Sequence, residues 1–294
     1  MAEILIVGSA VVDFVFATDE MPTEARKYRA AHAEVVGGGC AANAAVAVSR
    51  LGGTARLGAR LGQDQMGDLV LTDLQSEGIQ TELVQRSAGG MSSFSSIYVD
   101  RHGERQLMNF RGSGLTEDTG WVRNAPTPDA VLVDTRWPEA AYEALKLARD
   151  AGVPGVVDGE PPIDPRLLEM ASHIAFSRDG LLLLSAETDL ALALTELSCT
   201  HSAWMCVTDG ENGTFYAHQG TTGHVPAFKV DVVDTLAAGD VWHGAFALAL
   251  AEKQDEPSAA RFANAAAALK CTTFGGRKGC PDRNAVETFI KETT

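Results

Sequence analysis

Two hydrophobic periodicities divide the chain. From Leu115 onward, short runs of β-branched and aliphatic residues alternate with longer segments of helical spacing. A-V-L-V-D-T (130–135) reads as a buried strand, and E-A-A-Y-E-A-L-K-L-A-R-D-A-G (139–152) as a helix stopped by its glycine. G-V-V-D, H-I-A-F-S and W-M-C-V-T-D-G read as further strands, with short helices at P-R-L-L-E-M-A and T-D-L-A-L-A-L-T-E-L between them. V-D-V-V-D-T (230–235) predicts another strand, which passes through Ala237-Ala238-Gly239 into a buried helix running to Leu250. S-A-A-R-F-A-N-A-A-A-A-L-K-C predicts a small-residue helix that packs closely on a neighbour, and A-V-E-T-F-I-K a terminal helix. This alternation makes a mostly parallel sheet with helices on both faces, a Rossmann-like α/β fold.

The first third interrupts that pattern. Glu3 to Val12 reads as a first buried strand, with Gly8-Ser9 near its end and Asp13 just beyond. Placed there, Asp13 is either a hydroxyl acceptor for a polyol or a loop cap. F-V-F-A-T and K-Y-R-A-A-H-A-E-V-V then read as short strands around a Met21-Pro22-Thr23-Glu24 turn. From Ser92 to Phe110, F-S-S-I-Y-V-D and R-Q-L-M-N-F-R flank a turn at Arg101-His102-Gly103-Glu104, which is a hairpin. Two such patches predict a small β-sheet lid over a substrate site. The expected division is a core of 1–13, 37–90 and 113–294 and a lid of 14–36 and 91–112.

Composition narrows the class. With 294 residues, 45% hydrophobic and 21% charged, the chain can bury a large core. A formal net charge of −15 argues against nucleic acid or an anionic membrane as partner, and makes individual Lys and Arg residues informative. The five cysteines form no C-x-x-C pair and read as reduced thiols of a cytoplasmic protein. M-A-E-I-L-I-V-G reads as a first strand, not a signal peptide, and no apolar run reaches membrane-spanning length.

The chemistry concentrates at 230–250. A strand that enters a helix through tiny residues leaves bare N–H groups at a positive helix end, an anion site. Asp240 follows in the first turn. A carboxylate beside an anion site suits a base that takes a proton from a hydroxyl attacking a phosphoryl group; the alternative is an ordinary first-turn charge. At 37–53, three glycines open an Ala-rich helix that carries Asn43, without the G-x-G-x-x-G or P-loop spacing.

Three stretches together resemble the ribokinase (PfkB) family of carbohydrate kinases: D-T-L-A-A-G-D (234–240), G-G-C-A-A-N-A-A-V-A-V-S-R-L-G (38–52) and V-T-D-G-E-N-G (207–213). The resemblance runs the whole chain in order. It implies Mg·ATP as donor and a sugar hydroxyl as acceptor, with Asp240 as base and the backbone of Ala237, Ala238 and Gly239 as anion hole. Asp13, Gly39 and Asn43 would hold sugar hydroxyls. Thr208, Gly210, Gly213 and Asn264 would line the nucleotide, and Asp234 with carbonyls near Thr273 and Gly275 would hold a monovalent cation such as K⁺. The family's mid-chain N-x-x-E is replaced by Ser177-Arg178-Asp179-Gly180, so the metal must be held differently, with Asp179 one candidate.

Within the family, P-T-E-x-x-K-Y (22–28), D-x-R-W (134–137) and F-K-V-D-V-V-D-T (228–235) resemble the bacterial sulfofructose kinases of sulfoglycolysis. That likeness implies 6-deoxy-6-sulfofructose phosphorylated at O1, with Lys27, Asn109 and Arg136 on the sulfonate. A guanidinium fork after a core strand suits such a group, whereas Lys27 and Arg136 are otherwise solvated charges. Trp137 either stacks on Arg136 or packs. The alternatives are a kinase for another ketose, a sugar phosphate or a nucleoside, a sugar-binding regulator, and a dinucleotide-dependent dehydrogenase. A lid sheet with free edges further suggests a homodimer formed through the lid.

Overall fold

The computed structural model describes residues 1–102 and 104–293, so Gly103 of the expected turn lies outside the described residues. Its main sheet has eight strands: β1 (Glu3–Val7), β4 (Thr54–Gly58), β9 (Ala130–Val133), β10 (Gly155–Gly159), β11 (His173–Ser177), β12 (Trp204–Thr208), β13 (Thr214–His218) and β14 (Thr221–Val225). Their order is β14-β13-β12-β11-β10-β9-β1-β4, parallel from β4 through β12 and antiparallel at the β13–β14 edge. A second sheet has the order β3-β2-β7-β8, from β2 (Val11–Ala17), β3 (His32–Gly38), β7 (Phe94–Val99) and β8 (Arg105–Phe110). A short pair, β5 (Arg60–Gly62) and β6 (Gln85–Ser87), lies between them in sequence.

Alternating side chains send successive residues of the main sheet into two cores, as a sheet covered on both faces requires. Ile4 and Ile6 join one core with α1 (Cys40–Arg50), α2 (Gln65–Ser76), α7 (Ala238–Ala251), α8 (Glu256–Cys271) and α9 (Arg283–Glu292). Leu5 and Val7 join the other with α3 (Pro138–Ala151), α4 (Pro165–Met170), α5 (Arg178–Leu184) and α6 (Leu190–Ser198). The alanines of α1 let it lie against α7. A Cβ on Gly244 would come within 2.5 Å of the Ala44 carbonyl oxygen, so only glycine permits that contact. The second sheet has its own small cluster of Val15, Val36 and Ile97.

The structure corrects three local expectations. The run from Glu3 to Val12 is two strands in two sheets. β1 ends at Val7 because the Ser9 amide and hydroxyl turn to the Asp134 carboxylate, at 2.7 and 2.6 Å. Asp13 therefore sits on the second sheet and not past a core strand. Lys27 to Ala30 are not strand; Lys27, Arg29 and Ala30 are exposed, the Tyr28 hydroxyl accepts from the Thr23 and Glu24 amides instead, and β3 begins at His32. Residues 230–233 are not strand either. Val233 and Asp234 donate their amides to the Cys271 carbonyl at 2.8 and 3.1 Å, Val232 and Val233 are exposed, and the antiparallel β13–β14 hairpin takes the sheet edge. After β11, Arg178-Asp179-Gly180 opens α5, with the Ser177 hydroxyl accepting from the Gly180 amide at 3.0 Å.

Candidate active site

The site gathers where α1 and α7 begin, beside the second sheet. Asn43, in the first turns of α1, donates through Nδ2 to Asp240 Oδ2 at 2.7 Å. Gly39 caps α1 with φ +93°, and a Cβ there would lie 2.6 Å from the Ser9 carbonyl oxygen, so the tight entry to this helix needs glycine. Buried Asp134 binds this corner together, accepting from the Ser9 amide and hydroxyl and from the Ala41 and Arg136 amides. Ala237 precedes α7 in the left-handed region, at φ 65°, and no side chain caps this helix end. The Ala238 amide donates to the Thr235 carbonyl at 3.2 Å, and Gly239 and Asp240 complete a positive first turn without a side-chain cap.

Asp13, on β2, is buried with Oδ1 unpartnered. Burial raises its pKa, opposed by a Ser95 hydrogen bond and the nearby Arg277 guanidinium. Register aligns Asp13 with Ser95 on β7 and Ser95 with Asn109 on β8. Asn109 Nδ2 donates to the Ser95 hydroxyl at 3.1 Å, so a polar row crosses the small sheet. Beside it a cavity of roughly 230 Å³ lies between Val15, Val36 and Val99 of that sheet and the loop at 232–236. Arg105 Nη2 donates to the Thr235 hydroxyl at 3.1 Å, so the small sheet already touches the loop before α7.

A larger cleft of roughly 510 Å³ joins this first turn on its other side. Thr208, Gly210, Gly213 and Asn264, all expected at the nucleotide, line it together with Ala238 and Gly239. Asn264 is saturated by the protein. Its carbonyl accepts from Thr214 Oγ1 and Trp242 Nε1 at 2.8 and 2.7 Å, and its amide donates to the Val225 and Pro226 carbonyls, both at 3.1 Å. It holds the cleft floor in shape and has no hydrogen-bonding capacity left for a base.

Three residues that sequence reasoning did not assign are central. Asp158, at the end of β10, is buried with Oδ1 unpartnered, and ligand atoms of Cys40, Asp158 and Asp240 lie within 4.8 Å of one another. Burial first, then Asp240, Asp134 and Glu160, push its carboxyl well above the usual range. Burial likewise raises the Cys40 thiol, with Asp240 next. Asp158 ends a parallel strand, the same positional signal that singled out Asp13, so it was legible. Arg277 is the third. Buried after the Gly275-Gly276 turn, it pairs with Asp73 and donates to Asn43 Oδ1 at 3.4 Å; nothing local in the sequence marks it.

The proposed anion clamp is only partly assembled. Arg136 follows β9, and its charge reaches Cys40 and Asp158. Its guanidinium donates to the Pro161 carbonyl at 2.6 Å and pairs with Glu160 at 3.5 Å. Lys27 is exposed, and among the described residues no hydrogen bond or ion pair joins it to Asn109 or Arg136. Trp137 packs: it is buried against Trp121, with Arg60 rather than Arg136 over its ring. Asp179 is exposed and outside the Cys40–Asp158–Asp240 cluster, and its neighbour Arg178 pairs with Asp209.

The pfkB family carbohydrate kinase model matches residues 1–283. The chain belongs to this family. Like its members, this PfkB-family kinase is an ATP-dependent phosphotransferase with an alcohol group as acceptor. It is 29% identical to the ribokinase of Bacillus subtilis over 297 residues, covering 99% of this chain and all of that one. A ribokinase-type protein of Agrobacterium tumefaciens shares its fold at TM-score 0.93 and 36% identity, covering 99% of this chain and 98% of that one. The Arabidopsis thaliana ribokinase complexed with ribose and ATP matches at TM-score 0.87 and 25% identity, covering 99% of each chain. Among the described residues no helix of this PfkB-family kinase is long and apolar enough to cross a membrane, and all five cysteines are free.

The expected monovalent-cation site does not fit a free ion. Asp234 Oδ1 accepts from the Leu236 amide at 2.8 Å, and Oδ2 from the Gly275 and Gly276 amides at 3.1 and 3.0 Å. The fully buried Lys270 ammonium stands 3.3 Å from Oδ2 and donates to the Asp234 carbonyl at 2.7 Å.

Proposed function

We propose that this kinase phosphorylates 6-deoxy-6-sulfofructose at O1, with Asp240 as the base. In this reading Asn43 fixes the Asp240 carboxylate, which accepts the O1 proton as that oxygen attacks the γ-phosphorus of ATP. The phosphoryl oxygens meet the first-turn amide of Gly239, while Ala238, its amide on the Thr235 carbonyl, and the left-handed Ala237 orient that turn. Thr208, Gly210 and Gly213 contact the nucleotide in the larger cleft, above the floor held by Asn264. Asp13, Gly39 and Asn43 take sugar hydroxyls. The unpartnered oxygen of buried Asp158 suits the Mg²⁺ that accompanies ATP phosphates, and Asp158 would hold it in place of the missing N-x-x-E pair. When bound, that ion neutralises charge on the transferring group.

The observation that carries the sulfonate reading is the position of Arg136, a cation just after β9 whose amide donates to the Asp134 carboxylate that also holds Ser9 and Ala41 at the start of α1. Asn109 belongs to the polar row with Asp13, and Lys27 would join them as the lid closes. A second reading, a neutral pentose or ketose such as ribose or fructose, is favoured by the pairing of Arg136 with Glu160. We also propose that the kinase is cytoplasmic and pairs with a second copy through the lid, where β8 is a mostly exposed edge strand carrying Leu107 and Met108. ADP release measured with sulfofructose, fructose 6-phosphate, fructose and ribose decides between the substrates. Faster turnover of ribose or fructose than of sulfofructose, at equal concentrations, would remove the first reading.

A further inference from the structure

Lys270 has no part in the chemistry described so far, yet it is fully buried. Lysine is almost never so buried without a partner that compensates its charge. It rises from the last turn of α8, and its ammonium meets two oxygens of one residue, the carbonyl and Oδ2 of Asp234. Burial lowers its pKa, and the Asp234 carboxylate opposes that shift. Asp234 in turn accepts the Leu236 amide, one residue before the left-handed Ala237 that opens α7. A chain of contacts thus runs from Lys270 through Asp234 to the anion-binding turn. A tethered ammonium carries the same single charge as a potassium ion. A second cation at Asp234 would face that charge across a short, dry gap.

We propose that the Lys270 ammonium takes the place of a monovalent cation at Asp234 and makes this kinase independent of such ions. Lys270 is a positioning residue: it acts through Asp234 on the turn at 235–239 and touches neither nucleotide nor sugar. The inference rests on the ATP-dependent reading and not on the choice of sugar. The test uses the full chain in tetramethylammonium buffer, adding KCl at constant ionic strength. Turnover with the best acceptor, ADP affinity by calorimetry and melting temperature are the three readouts. For the wild type, K⁺ should change kcat and ADP affinity by less than about twofold, beyond the general effect of salt. A several-fold gain in either would overturn the proposal. Lys270→Met should lose roughly tenfold or more in kcat and ADP affinity, as removal of one partner of a buried pair implies. K⁺ or NH₄⁺, but not tetramethylammonium, should restore part of both and raise the variant's melting temperature. A folded variant equally impaired with and without K⁺ would show that Lys270 only packs. If that variant does not fold, the wild-type titration still decides. Absence of ADP binding in every salt would count against the nucleotide cleft, and the melting comparison would then decide on Lys270.

Discussion

Asn43 and Asp240 are separated by 197 residues in sequence, yet Asn43 Nδ2 donates to Asp240 Oδ2 at 2.7 Å. Each stands in the first turns of its own helix, and the close contact of α1 with α7 at Gly244 brings those turns together. Arg277 engages the other end of the Asn43 amide, so its flip state is set by donors on one side and an acceptor on the other. The carboxylate is thereby aimed before any substrate arrives.

Asp240→Asn keeps the shape of that contact and removes the base. We expect kcat to fall by roughly 10²–10⁴-fold with nucleotide and sugar affinities nearly unchanged. Steady-state kinetics with calorimetric binding check this. A variant that keeps more than about a tenth of wild-type turnover would exclude Asp240 as the base.

Asp158 carries a pH signature. Its folded-state pKa is raised, first by burial and then by Asp240, Asp134 and Glu160. The folded chain therefore holds a proton that the unfolded chain has released above about pH 4. Stability rises as pH falls through the raised folded value and is lost as pH climbs toward it. In metal-free buffer, Asp158→Asn should melt higher than wild type near pH 8, by roughly 2–4 °C per kcal/mol recovered, and the gap should narrow toward about pH 5. Scanning fluorimetry at the two pH values is sufficient. A variant that melts lower at the higher pH would contradict the burial cost assigned to Asp158.

The small sheet should move with sugar. Among the described residues its side-chain ties to the core include Arg105 with Thr235 and Glu34 with Lys278, and its own core is small. Amides in 14–36 and 91–112 should exchange more slowly at saturating sugar than without it. Equal protection in both conditions would mean that this sheet is a fixed wall.

Arg136→Ala separates the two substrate readings. It removes a charge-assisted donor, worth about 1.5–3 kcal/mol, so kcat/KM for sulfofructose should fall roughly tenfold or more. Activity on fructose should barely change. An equal loss on both sugars would make the Glu160 and Pro161 contacts of Arg136 its whole role.

The alternation of apolar runs from Leu115 onward was enough to specify the parallel sheet, because helix and strand periods are local properties of the chain. The glycine and alanine runs at 37–53 and 237–239 likewise marked both helix starts, since only tiny residues allow that backbone. Other features were decided in three dimensions. Val230 to Val233 has a strand's composition but pairs with no strand, and Val233 and Asp234 turn their amides to the Cys271 carbonyl at the end of α8. Asp13 changes sheets because Asp134, remote in sequence, captures the Ser9 amide and hydroxyl. Arg277 and Lys270 acquire their roles only from what they are buried against, Asn43 and Asp73 for one and Asp234 for the other. Burial and charge pairing are sums over neighbours from distant parts of the chain, and no local pattern of residues contains them.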